Sequence, residues 1–171
     1  LGIPGPATTD LGLKNYMAAC AASRTTLGLS NWKISDAGLM HLKGLTNLKS
    51  LDLSYTQVTD AGLVHLKGLT RLMSLKLNKL RHLNNTPITD AGLVHLKGLT
   101  NLQTLWIEGT QVSDAGLVHL KEMSSLWDLR LHDTKITDAG LVHLKGLTNL
   151  KTLYLTSTKV TDAGIADLQQ S

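Results

Sequence analysis

Five histidines stand at one fixed place along this chain: His41, His65, His95, His119 and His143. Stacked imidazoles could bind a metal ion or titrate together as a pH sensor. A metal needs ligands that converge on a point, however, whereas a column spreads its nitrogens along a surface. Each histidine also lies between two leucines on an outward helix face and is fixed by duplication of one unit, so its role reads as structural or neutral. The lysines two residues later (Lys43, Lys67, Lys97, Lys121, Lys145) and a column of aspartates read the same way, as a solvated convex surface. A threonine column (Thr56, Thr86, Thr110, Thr134, Thr158) raises ice binding, yet its neighbours Asn31, Tyr55, Gly109, Asp133 and Ser157 form no regular array. His132 and Asp133 fall at a strand end with Glu108 nearby in the stack, which allows a carboxylate–imidazole pair or, equally, a salt-bridged recognition surface. No Ser-His-Asp or Cys-His arrangement, phosphate-binding glycine loop or cysteine cluster is present, so no catalytic residue, metal ligand or cofactor is expected.

These columns exist because the chain repeats. Asp-Ala-Gly recurs at Asp36, Asp60, Asp90, Asp114, Asp138 and Asp162, with spacings of 24, 30, 24, 24 and 24 residues. A fixed period in the twenties means stacked supersecondary units. Pairs such as Leu51/Leu53 and Leu105/Ile107 alternate with polar residues and predict short strands buried on one face. Ser or Thr before each Asp predicts a helix N-cap, with the carboxylate complementing the helix dipole. Leu63 and Leu66 then share a helical face, and Gly68 is expected to end the helix in a left-handed conformation. One unit cannot bury its own leucines, so the units must stack into a parallel sheet over one continuous core.

The pattern LxxLxLxxTxVTDAGLxxLxxL, seen from about Leu27 to Leu168, resembles the leucine-rich repeat family in its 24-residue bacterial form. The resemblance implies an α/β fold: a right-handed solenoid with a parallel concave sheet and short convex helices, usually used for protein recognition. It also implies that the threonine column points inward, its hydroxyl tying one turn's backbone to the next. Family habit leans the location toward an exported bacterial protein.

Residues 1–26 read as an irregular lead-in followed by a capping helix with Leu13, Tyr16, Met17 and Cys20 on one face. Asp10-Leu11-Gly12-Leu13 imitates Asp-Ala-Gly-Leu, marking a degenerate half repeat. Residues 27–171 then hold six repeats, with a six-residue insertion at 79–84 expected to bulge at the rim of the sheet. Asn84-Asn85-Thr86 matches a glycosylation sequon. After Leu153 nothing obvious covers the last strand, so either the native chain continues past Ser171 or this edge meets another copy, giving a homo-oligomer. The lone Cys20 excludes an internal disulfide, and no apolar run approaches the roughly 18 residues that span a bilayer. A net charge of +4 spread along the chain argues against a nucleic-acid surface.

The strand positions that face outward vary, while the rest of each repeat scarcely changes. Between the two leucines they are Gly28, Asp52, Lys76, Trp106, Arg130 and Tyr154; flanking columns bring Glu108, Asp128 and His132. Trp106, Arg130 and Tyr154 would be consecutive neighbours, and Trp, Tyr and Arg dominate interface hot spots. The expected site is therefore Asp52, Tyr55, Lys76, Trp106, Glu108, Asp128, Arg130, His132, Asp133 and Tyr154, binding a protein or peptide without catalysis. The three aromatic and guanidinium groups could instead simply stack on one another for stability. Self-assembly through the open edge or concave face, and carbohydrate stacking on Trp106 and Tyr154, are the alternatives. Trp32, in a threonine position, is expected to fill the first core layer.

Overall fold

The computed structural model describes residues 8–19, 24–79 and 88–170. A helix α1 (Asp10–Ala19) leads into six strands: β1 (Thr26–Gly28), β2 (Ser50–Asp52), β3 (Ser74–Lys76), β4 (Thr104–Trp106), β5 (Asp128–Arg130) and β6 (Thr152–Tyr154). They form one parallel sheet in chain order, and Leu27, Leu51, Leu75, Leu105, Leu129 and Leu153 pair in unbroken register. Each strand is followed by one helical turn: α2 (Asp36–Leu39), α3 (Asp60–Leu63), α4 (Asp90–Leu93), α5 (Asp114–Leu117), α6 (Asp138–Leu141) and a longer α7 (Asp162–Gln169). Among these, α2 to α6 tighten directly into 3₁₀ turns, such as Val64–Leu66 after α3. The expected α/β solenoid is what forms.

The strands hold only the first leucine of each pair, yet the ladder continues beyond them. Leu29 N–H donates to the Asp52 carbonyl at 2.8 Å, and Asn31 N–H donates to that of Ser54 at 3.0 Å. Both leucines of an interior pair are fully buried, as Leu51 and Leu53 are. Each such burial is worth roughly 1.5–3 kcal/mol, and the leucine columns join into a single core that includes Leu63, Leu66, Leu69 and Leu72. Trp32 packs against its first layer, as expected.

Most of the caps form as expected: the side chains of Ser35, Thr59, Thr89 and Thr137 each accept the N–H of the alanine two residues on, and Thr161 accepts that of Gly164, whereas Ser113 makes no such bond. Three expectations need correction. Gly68 is not left-handed; the helix runs out through its 3₁₀ turn, where Lys67 is still right-handed, and the positive φ values fall at Asn31, Tyr55, Gly109, Asp133 and Ser157. That corner comes after the strand, where the chain must leave the sheet. The threonine column does point inward, but Thr56, Thr110 and Thr134 donate to the carbonyls of Leu53, Ile107 and Leu131, three residues back in their own repeat.

The aspartates, finally, are no solvated fringe. Asp36 accepts the Thr59 N–H on one oxygen and the Thr59 hydroxyl on the other, both at 2.7 Å. Asp60 does the same to Thr89, Asp90 to Ser113, Asp114 to Thr137 and Asp138 to Thr161. Asp10 of α1 clamps Ser35 in the same way, so the capping helix enters the series. Each carboxylate also fills the space over the next repeat's glycine: a Cβ on Gly62 would lie 2.3 Å from Asp36 Oδ1. The motif is thus a joint between successive repeats. At the outermost clamp, the Thr161 N–H and then its hydroxyl hold the Asp138 carboxyl below its ordinary value.

Candidate functional site

The open face of the sheet carries the even-numbered strand residues, and their register decides who meets whom. Lys76, Trp106, Arg130 and Tyr154 are direct cross-strand partners. The Lys76 ammonium and the Arg130 guanidinium each sit 3.7 Å from the centre of the Trp106 ring. Arg130 also lies 4.8 Å from the centre of the Tyr154 ring. The four side chains form one stack, each cation–π contact adding about 0.5–1 kcal/mol or more.

Carboxylates lock that stack from beneath. Trp106 Nε1–H donates to Asp128 Oδ2 at 2.9 Å, and Arg130 Nε donates to Asp128 Oδ1 at 3.4 Å. Asp128 is itself buried, so its charge is taken up by these two groups. Glu108 approaches Arg130 Nη1 at 4.0 Å and His132 Nε2 at 3.2 Å, so the carboxylate–imidazole pair that the sequence allows lies within a wider set of ion pairs. The Glu108 N–H in turn reaches Asn78 Oδ1 at 3.3 Å.

Seven of the ten expected residues therefore come together: Lys76, Trp106, Glu108, Asp128, Arg130, His132 and Tyr154. Trp106 differs from the expectation of an exposed anchor, because it is half-buried and has two cations against its ring and a carboxylate on its N–H. Tyr154, at the end of the stack, is 45% exposed. Asp52 pairs with Lys76 in register, but its Oδ1 accepts the Ser54 N–H. Tyr55 and Asp133 occupy left-handed corners at the sheet rim, their N–H groups bonded to the carbonyls of Asn78 and Thr156. Nothing among the described residues gathers three or more His, Cys, Asp or Glu side chains around a metal-sized point, and no helix there is long and apolar enough to cross a membrane.

Lys79 is a residue the sequence reading passed over. It is the first residue of the insertion at 79–84, and in sequence it follows Asn78 as Asn31, Tyr55, Gly109, Asp133 and Ser157 follow their own strands. Its ammonium donates to the Thr56 and Val58 carbonyls at 2.7 and 2.9 Å. In other repeats a backbone N–H, such as Gln57 to Ile34 or Gln111 to Ile88, serves the carbonyl equivalent to Val58. In sequence, the residue of the next repeat aligned with Gln57 and Gln111 is Pro87, which has no N–H to give, and the Val58 carbonyl accepts from the lysine. Burial pushes Lys79 down to about 8, against a smaller opposing pull from Asp36. The insertion from Leu80, with the sequon, lies outside the described residues, as do residues 1–7 and Cys20.

A family model described as Leucine Rich repeat matches residues 44–66 and 146–168. Among solved structures, internalin C2 of Listeria monocytogenes is 30% identical, with a TM-score of 0.67 over 94% of this chain and 72% of that one. A leucine-rich repeat protein of Leptospira interrogans is 23% identical, with a TM-score of 0.60 over 81% of this chain and 33% of its own, a likeness of fold alone. Among curated proteins none matches the sequence significantly. With the leucine register, the repeated joint and a 30% identical relative in agreement, the chain belongs to the leucine-rich repeat family.

Proposed function

We propose that this chain is a non-catalytic recognition scaffold whose concave face binds a protein or peptide. Leucine-rich repeats typically serve as protein-interaction scaffolds, and the bacterial structures similar to this one share that architecture. The observation that carries the reading is the contrast between columns. Leu51, Leu75, Leu105 and Leu129 are identical, whereas the residues one step along, Asp52, Lys76, Trp106 and Arg130, differ in size, charge and aromaticity.

Tyr154 and the outer edge of Arg130 are the anchors, Trp106 holds Arg130 in place, and Asp52, Glu108, His132 and Asp133 select charge. Tyr55 contributes from the rim. A guanidinium held between two rings loses little freedom on binding, which lowers the entropic cost of association. The stack also argues against carbohydrate packing on Trp106, whose ring already has two cations against it.

Peptides selected from a displayed random library on the immobilised chain test the proposal. Arg130→Ala and Tyr154→Ala should each weaken the selected binders about tenfold or more, the scale of a hot-spot loss. His65→Ala on the convex side should leave them unchanged. Binders indifferent to both concave substitutions would refute the reading.

A further inference from the structure

One carboxylate on the concave face is without the cation that its place in the sheet offers it. Asp52 on β2 stands in register between Gly28 on β1 and Lys76 on β3. A lysine directly opposite an aspartate ordinarily makes a cross-strand ion pair. Here the Lys76 ammonium lies 3.7 Å from the centre of the Trp106 ring on β4, and among the described residues no ion pair includes Asp52. Asp52 Oδ1 accepts the Ser54 N–H at 2.9 Å, which leaves Oδ2 with no hydrogen-bond partner among those residues. On the other flank, a Cβ at Gly28 would meet nothing within 4 Å, and the Gly28 backbone is not left-handed. Neither packing nor conformation requires that glycine, and a strand without a side chain there is weakened. Its effect is an open notch beside the carboxylate. Ser54, which shares the face of Asp52 two residues on, is only 3% exposed, and its hydroxyl is buried without a hydrogen-bond partner. Folded proteins leave few such groups unsatisfied.

We propose that Gly28, Asp52 and Ser54 form a subsite for a lysine side chain of the bound peptide, an inference that rests on the recognition reading above and names part of its ligand. The lysine stem lies in the notch at Gly28, and its ammonium donates to Asp52 Oδ2 with a further N–H for the Ser54 hydroxyl. Charge complementarity selects this occupant, because the cation nearest in register is already engaged by the Trp106 ring. Arginine fits less well: a fork across both carboxylate oxygens competes with the Ser54 N–H on Oδ1. The sheet also sets a spacing. β2 and β6 are separated by β3, β4 and β5, hence by roughly 19 Å at ~4.8 Å per strand, so an extended peptide held at Tyr154 carries its lysine about six residues away.

The probes are the library-selected peptides, resynthesised with each lysine replaced in turn by norleucine or arginine. One lysine should prove critical: its norleucine version binds the native chain about tenfold more weakly, yet binds Asp52→Asn within about twofold of the parent peptide. Asp52→Asn retains an acceptor for the Ser54 N–H while removing the charge, so this coupling reads the ion pair and not the fold. Arginine at the same place should recover only part of the loss. Gly28→Val, which places its side chain in open space, should weaken the lysine peptide about tenfold and leave the norleucine version unchanged. Peptides that lose affinity on Tyr154→Ala but bind Asp52→Asn and Gly28→Val as tightly as the native chain would overturn the subsite and leave the recognition reading standing. Peptides indifferent to Tyr154→Ala and Arg130→Ala would remove that reading, and the subsite with it.

Discussion

Tyrosine is a costly residue in left-handed backbone, and Tyr55 sits there at φ 60°. The other left-handed residues of its column are Asn31, Gly109, Asp133 and Ser157, small or polar residues that adopt this conformation more readily. Tyr55→Asn should therefore raise stability by about 0.5–1 kcal/mol in urea unfolding, and if Tyr55 serves recognition it should weaken binders in the same variant. Lys79 gives a pH signature. Its folded value of about 8 lies below the ordinary 10.5. Between those values the unfolded chain holds a proton that the folded chain has released, so stability contributed by this group rises with pH across that window. Urea midpoints from pH 7 to 10.5 should climb more steeply for the native chain than for Lys79→Met, which should also be less stable throughout because the Val58 carbonyl loses its donor. Parallel curves would contradict the assignment. The lysine was hard to read from sequence because its role depends on a proline eight residues later, across the insertion.

At the scale of the element, the joint between repeats is a carboxylate, a hydroxyl and a missing Cβ. Asp60→Ala should cost about 2–3 kcal/mol, since the Thr89 N–H and hydroxyl lose a charged acceptor. Gly92→Ala should cost about 1–3 kcal/mol, because its Cβ would sit 2.3 Å from Asp60 Oδ1. The two together should cost less than their sum, as removing the carboxylate makes room for the methyl; a double-mutant cycle in urea measures this, and strict additivity would contradict the joint. Strands and caps were legible in the sequence because their signals are local: period two at Leu51 and Leu53, and Thr59 beside the alanine it caps. The joint was not, because Asp36 meets the threonine 23 residues on, and the glycine it covers belongs to the next Asp-Ala-Gly. Which residues face the open side could likewise be read from strand alternation, but the cation–ring stacking that partly buries Trp106 required the register itself.

For the whole molecule, stacking makes a frame whose stability comes from near-identical joints, leaving the outward strand positions free to vary. That separation is what the recognition reading depends on. Tyr154 on the sheet face and Met40 on the helical side are 45% and 53% exposed. Hydroxyl-radical footprinting of the chain, alone and saturated with a library-selected peptide, compares the two faces in one experiment. The account predicts that Tyr154 is protected and Met40 labels as before. Protection of Met40 with Tyr154 unchanged would place recognition on the convex side and contradict it.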